Sequence, residues 1–137
     1  MTYISAALRR EVRDRAGNCC EYCRVHEEFR LFPYEVDHII AEKHRGETVS
    51  DNLCYSCYLC NGHKGSDIAS IDPLTGELAA LFHPRRHIWT DHFRLNGGVI
   101  EPLTPEGRVT VHILQLNTEG RVKEREGLLR MGRYPCS

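Results

Sequence analysis

No stretch of this 137-residue chain approaches the roughly 20 consecutive apolar residues needed to cross a bilayer, although hydrophobic residues make up 41% of its positions. A membrane role is therefore not expected. The start, Met1-Thr2-Tyr3-Ile4-Ser5, has neither a basic opening nor an apolar signal segment, so the expected setting is the cytoplasm. Net charge is also scarce, at −1. The chain as a whole cannot attract phosphate, and any nucleic-acid binding must come from a local patch. There is no internal repeat, low-complexity tract or linker, and the length suits one domain, 1–137, with a single modest core.

Cysteine is what the chain has in unusual amount and arrangement. Its seven copies include Cys20-x-x-Cys23 and Cys57-x-x-Cys60. In a reducing compartment such spacings point to metal or redox chemistry rather than a disulfide scaffold, and an odd count excludes complete pairing. Thiolates at this spacing grip one ion from both ends of a tight turn, and two turns complete a tetrahedral all-sulfur shell suited to structural Zn²⁺. The competing readings are buried free thiols or a redox pair. Cys19 adjoins Cys20, and Cys54-x-x-Cys57 overlaps the second pair, but the set Cys20, Cys23, Cys57 and Cys60 keeps both spacings at two. Cys19 and Cys54 are then spare, expected as buried small hydrophobes, and Cys136 as a tail thiol.

Between the pairs lies Glu35-Val36-Asp37-His38-Ile39-Ile40, within a stretch from Phe32 to Ile40 that reads as a strand. Ser5 caps a predicted helix through Ala16 that Gly17-Asn18 stops. A second strand or turn covers Cys54 to Cys57, and a short helix follows Cys60, weakened by Gly62 and Gly65. Further on, Asp72 to Leu78 reads as a turn between short strands, and Ile88 to Ile100 as a hairpin. Thr104-Pro105 opens a helix, and a last helix spans about Arg121 to Met131.

The series Cys20-x-x-Cys23, Glu35-Val36-Asp37-His38-Ile39-Ile40, Asp51-Asn52-Leu53 and Cys57-x-x-Cys60-Asn61-x-x-Lys64-Gly65 resembles the HNH, or ββα-metal, nuclease family in order, spacing and residue type. The motif core spans about residues 19–65, with the extension 66–137 packed on it. The resemblance implies an α+β fold: a ββα-metal core with a four-cysteine zinc knuckle, flanking helices and a short hairpin. It also implies a metal-dependent DNA endonuclease in which His38 activates water. Asp37 and Asn61 would hold a catalytic Mg²⁺ or Mn²⁺, and Asn52 would fix the His38 loop. An imidazole changes charge near neutral pH and suits a base, while hard oxygen ligands suit those ions.

Adjacent strand residues point to opposite faces, so bringing Asp37 and His38 to one phosphate requires a strand end or bulge there. His63 is the alternative ligand. If the helix starts near Cys60, however, Asn61 shares a face with Lys64 and not with His63. Lys64 is a candidate phosphate contact or a structural donor, and Arg85 and Arg86, with Lys43 and Arg45, are candidate contacts to the nucleic-acid backbone, with a solvated charge cluster the competing reading for the arginine pair. The other histidines have no such context. A small core without a recognition domain implies low sequence selectivity, or help from a partner or a second copy. The alternative function is a zinc-stabilised nucleic-acid or protein binding module that does not cleave. A thiol redox protein is a more remote third.

Overall fold

The computed structural model describes residues 2–136, and among them the elements are mixed α and β. Helix α1 (Ala6–Arg15) begins where Ser5 Oγ accepts from the Leu8 amide at 3.1 Å. It ends ahead of Gly17 and Asn18, both with positive φ. Only Val12 of α1 is fully buried. That narrow contact lays the helix on strands β1 (Glu35–His38) and β2 (Leu53–Ser56). These strands pair antiparallel, with Asp37 opposite Cys54 and His38 opposite Leu53. Helix α2 (Tyr58–Lys64) follows at once, so the order in this region is strand, strand, helix.

Helix α2 starts two residues ahead of Cys60, because Cys57 is its N-cap and the Cys57 sulfur accepts from the Cys60 amide at 3.4 Å. Gly65 does not weaken the helix from within. It ends it at φ +52°, a conformation that glycine adopts without strain.

The remaining residues form two more antiparallel hairpins and three helices: β3 (Ala69–Ile71) with β4 (Leu78–Ala80), α3 (Trp89–His92), β5 (Phe93–Asn96) with β6 (Val99–Pro102), α4 (Pro105–Ile113) and α5 (Glu119–Arg130). The hairpin expected from Ile88 thus begins only at Phe93. The four residues before it are helical, pinned where Trp89 Nε1 donates to the Tyr22 carbonyl at 2.9 Å. The turn after β3 is built on Asp72, which accepts from the Leu74 amide and the Thr75 hydroxyl, each at 3.0 Å, and from two nitrogens of the Arg108 fork at 2.8 and 2.9 Å. Arg108 holds the Asp72 carboxyl well below the usual carboxylate range. One cluster of buried side chains includes Ile4, Val12, Leu53, Phe93, Leu116 and Tyr134, so residues near both chain ends pack into the same interior. No helix among the described residues is long and apolar enough to cross a membrane.

Candidate active site and metal centre

The two cysteine turns meet where the sequence expected them to. The sulfur atoms of Cys20, Cys23, Cys57 and Cys60 lie within 4.8 Å of one another, and all four residues are buried. Each turn is braced by an amide aimed at a sulfur: Cys23 N to Cys20 Sγ at 3.5 Å, and Cys60 N to Cys57 Sγ at 3.4 Å. Four thiols so placed are positioned to hold a metal ion. Among first-row ions, an all-sulfur tetrahedral set with no open position suits zinc.

Cys54 stays outside the cluster as a buried thiol against the Tyr22 hydroxyl at 3.6 Å, and burial pushes it up to about 12. Cys19 and Cys136 are not spare thiols: they form a disulfide with a Cα separation of 6.0 Å. The C-terminal segment makes this possible by returning to the first knuckle. There Tyr134 Oη donates to the Cys23 carbonyl at 2.8 Å and the Cys136 amide to the Arg24 carbonyl at 2.9 Å.

One open concavity of about 340 Å³ is lined by Asp37, His38 and Asn61, together with Ile4, Arg9 and Glu42. His38 is the last residue of β1, so the strand ends where the alternation of faces would otherwise keep it from Asp37. Burial pushes the Asp37 carboxyl up, opposed by the nearby charges of Lys64 and His38. His38 Nε2 lies 2.9 Å from the Thr48 hydroxyl and 4.0 Å from a Glu42 carboxylate oxygen. Glu42 is engaged elsewhere as well, accepting from the Thr2 amide at 3.0 Å and from the Thr2 hydroxyl. His63 is exposed and lies outside the lining of this concavity.

Asn52 closes the loop between β1 and β2. Its Oδ1 accepts from the Ile40 amide at 3.0 Å, and its Nδ2 donates to the carbonyls of Ile40 and Glu47, each at 2.9 Å. This buried amide fixes the backbone just past His38. Gly46 belongs to the same construction: a Cβ there would stand 1.6 Å from the Ile40 carbonyl oxygen.

Of the three candidate nucleic-acid contacts, Lys64 takes the structural-donor alternative and Arg85 is engaged within the protein. Lys64 is only 2% exposed, and its ammonium faces the carbonyls of His38 and Gly65 at 3.4 and 3.5 Å; the fold has turned it inward to brace the strand end. Arg85 is largely covered and spent on an ion pair with Glu21. Arg86 alone of the three is exposed. Sequence reasoning passed over Arg9, whose Nε donates to the Ile4 carbonyl at 3.2 Å while its terminal nitrogens have no hydrogen bond or ion pair among the described residues. It also missed Thr48 and Glu42. None of these sits at a position that a local pattern marks, since α1 and the loop reach the concavity only through tertiary packing.

Residues 20–67 match the family model for HNH endonuclease, a span that takes in both cysteine turns, β1, β2 and α2. No curated protein and no solved structure matches the chain.

Proposed function

We propose that the HNH endonuclease core at residues 20–67 hydrolyses phosphodiester bonds in DNA, and that the chain is one domain whose residues 66–137 pack on that core. The observation that carries this reading is the single concavity shared by Asp37, His38 and Asn61 beside a buried four-cysteine cluster. Zinc in the cluster is structural, since four thiolates leave no position for a substrate.

In the proposed reaction His38 is the general base. The Thr48 hydroxyl occupies Nε2 at 2.9 Å, which leaves Nδ1 to take a proton from water. The water oxygen bonds to phosphorus as the bond to the 3′ oxygen breaks. Asp37 and Asn61 offer one carboxylate oxygen and one amide oxygen, and this sparse hard set fits Mg²⁺ or Mn²⁺, which keep several waters. Such an ion, when bound, stabilises charge on the phosphoryl and leaving oxygens. The partly buried Asp37 carboxyl, with burial weighing against its charge, is the kind of ligand a cation completes. Arg9 supplies a further cation beside the phosphate through its terminal nitrogens, which are unpaired among the described residues, and Asn52 keeps the backbone after His38 in place.

Supercoiled plasmid incubated with purified protein and Mg²⁺, Mn²⁺ or EDTA tests this, with zinc content measured throughout. Nicking or linearisation that EDTA stops is expected, and His38→Ala should lower the rate by about 10²–10⁴-fold with zinc retained. Zinc-loaded wild type that cuts no plasmid under either ion would sink the nuclease reading and favour a binding module.

A further inference from the structure

Four thiolates around one dication carry a net double negative charge, and here all four are buried. An uncompensated buried charge is costly, so a cation or strong donors must stand nearby. Arg121, the third residue of α5 and only 6% exposed, places Nη2 at 3.0 Å from Cys60 Sγ and 3.9 Å from Cys57 Sγ. Its Nη1 donates to the carbonyls of Leu114 and Gln115 at 2.9 and 3.3 Å. Among the described residues no carboxylate pairs with it. The match is thus mutual: this buried guanidinium has no carboxylate partner among the described residues, and the sulfur atoms it touches belong to the proposed metal ligands. Arg30, another large cation in this region, is already matched by both oxygens of Glu124 at 2.7 Å.

We propose that Arg121 is a positioning residue of the metal centre, a hydrogen-bonding cation that offsets the thiolate charge and slows release of the ion. The inference rests on the reading that the cluster holds zinc. It gives the C-terminal helix, which lies outside the matched residues 20–67, a share in the metal site. Outer-shell partners of this kind commonly change metal affinity by about 10–100-fold.

The test is the rate at which zinc passes from the folded, full-length protein to a colorimetric chelator in excess, with helical content followed in parallel. Wild type is compared with Arg121→Met, Arg121→Lys and Arg125→Lys. Arg125 is the control because it is at least as buried on the same helix and bonded to Gly98, Leu116 and Asn117, yet has no hydrogen bond to sulfur. Release about 10–100-fold faster from Arg121→Met, a smaller acceleration in Arg121→Lys, and a wild-type rate in Arg125→Lys are expected. Should Arg121→Met not fold, Arg121→Lys against Arg125→Lys still decides the matter. Equal rates in all four proteins, or equal acceleration by Lys at either position, would overturn the proposal while leaving zinc in place. Wild type isolated without zinc would remove the metal reading and this inference with it.

Discussion

Gly46 leaves no room for a side chain: its added Cβ would stand 1.6 Å from the Ile40 carbonyl oxygen and 2.8 Å from Asn52 Nδ2. Backbone, not a flexible side-chain tip, would have to move. Gly46→Ala should therefore destabilise the protein by about 1–3 kcal/mol, and the proposed cleavage should fall with it, because the same loop carries Thr48 and Asn52. An unchanged unfolding temperature would show that the loop is not packed in this way.

A second residue-scale effect is electrostatic. Burial, with the charge of Arg86, lowers His83 from 6.5 to about 4, and its Nδ1 accepts from the amides of Arg85 and Arg86, each at 3.2 Å. The folded state thus favours neutral His83 while the unfolded chain takes up a proton near 6.5. Stability is complete above that value and declines as pH falls toward about 4. Asp72, held low by Arg108, adds loss only as pH falls below about 4, near the ordinary aspartate value. Denaturant unfolding from pH 7 to 4.5 checks this, and His83→Asn should flatten the slope. The candidate residues Asp37, His38, Asn52 and Asn61 were legible through their order and spacing relative to the two cysteine pairs, which resemble the family pattern. For Lys64 the sequence leaves phosphate contact and structural donor both open, because a charge in sequence carries no mark of burial; the docking of α2 on the end of β1 turns it inward as a donor.

At the scale of elements, α2 shows where local rules work and where they stop. Gly62 lies inside the helix with nothing within 4 Å of an added Cβ, so Gly62→Ala should stabilise the protein by about 0.5–1 kcal/mol. Thermal unfolding of the zinc-loaded protein reads the gain, and a lower midpoint would mean that the open face is needed for packing. The start of this helix could not be read from capping preferences, which favour Ser, Thr, Asp and Asn; here a metal-site sulfur does the capping. The stretch Trp89 to His92 was misplaced for a different reason. It is held helical by long-range contacts, with the Trp89 indole bonded to Tyr22 and stacked under Arg24 at 4.9 Å. By contrast, Ser5 and Thr104 cap their helices as the sequence indicates, because both signals lie within three residues of their effect.

Over the whole molecule, the disulfide from Cys19 to Cys136 spans 117 residues of sequence, beyond the reach of spacing arguments. It ties the end of the chain to the turn that begins the metal cluster. Reduction should lower stability by roughly 2–4 kcal/mol, and Cys136→Ser should behave like the reduced protein with no further response to reductant. An unfolding midpoint indifferent to reductant would show that the two sulfurs are not joined. The separation between Arg121 and Cys60, 61 residues, has a consequence for biosynthesis if Arg121 acts as proposed. A chain leaving the ribosome presents all four thiolates well before the cation that offsets them, so an ion taken up at that stage exchanges freely and is locked in only when the last helix docks. Metal identity is then set by whichever ion is present when that helix docks. Cell-free synthesis in cobalt followed by zinc, with the switch made before or after chain completion, should leave zinc in the first product and cobalt in the second.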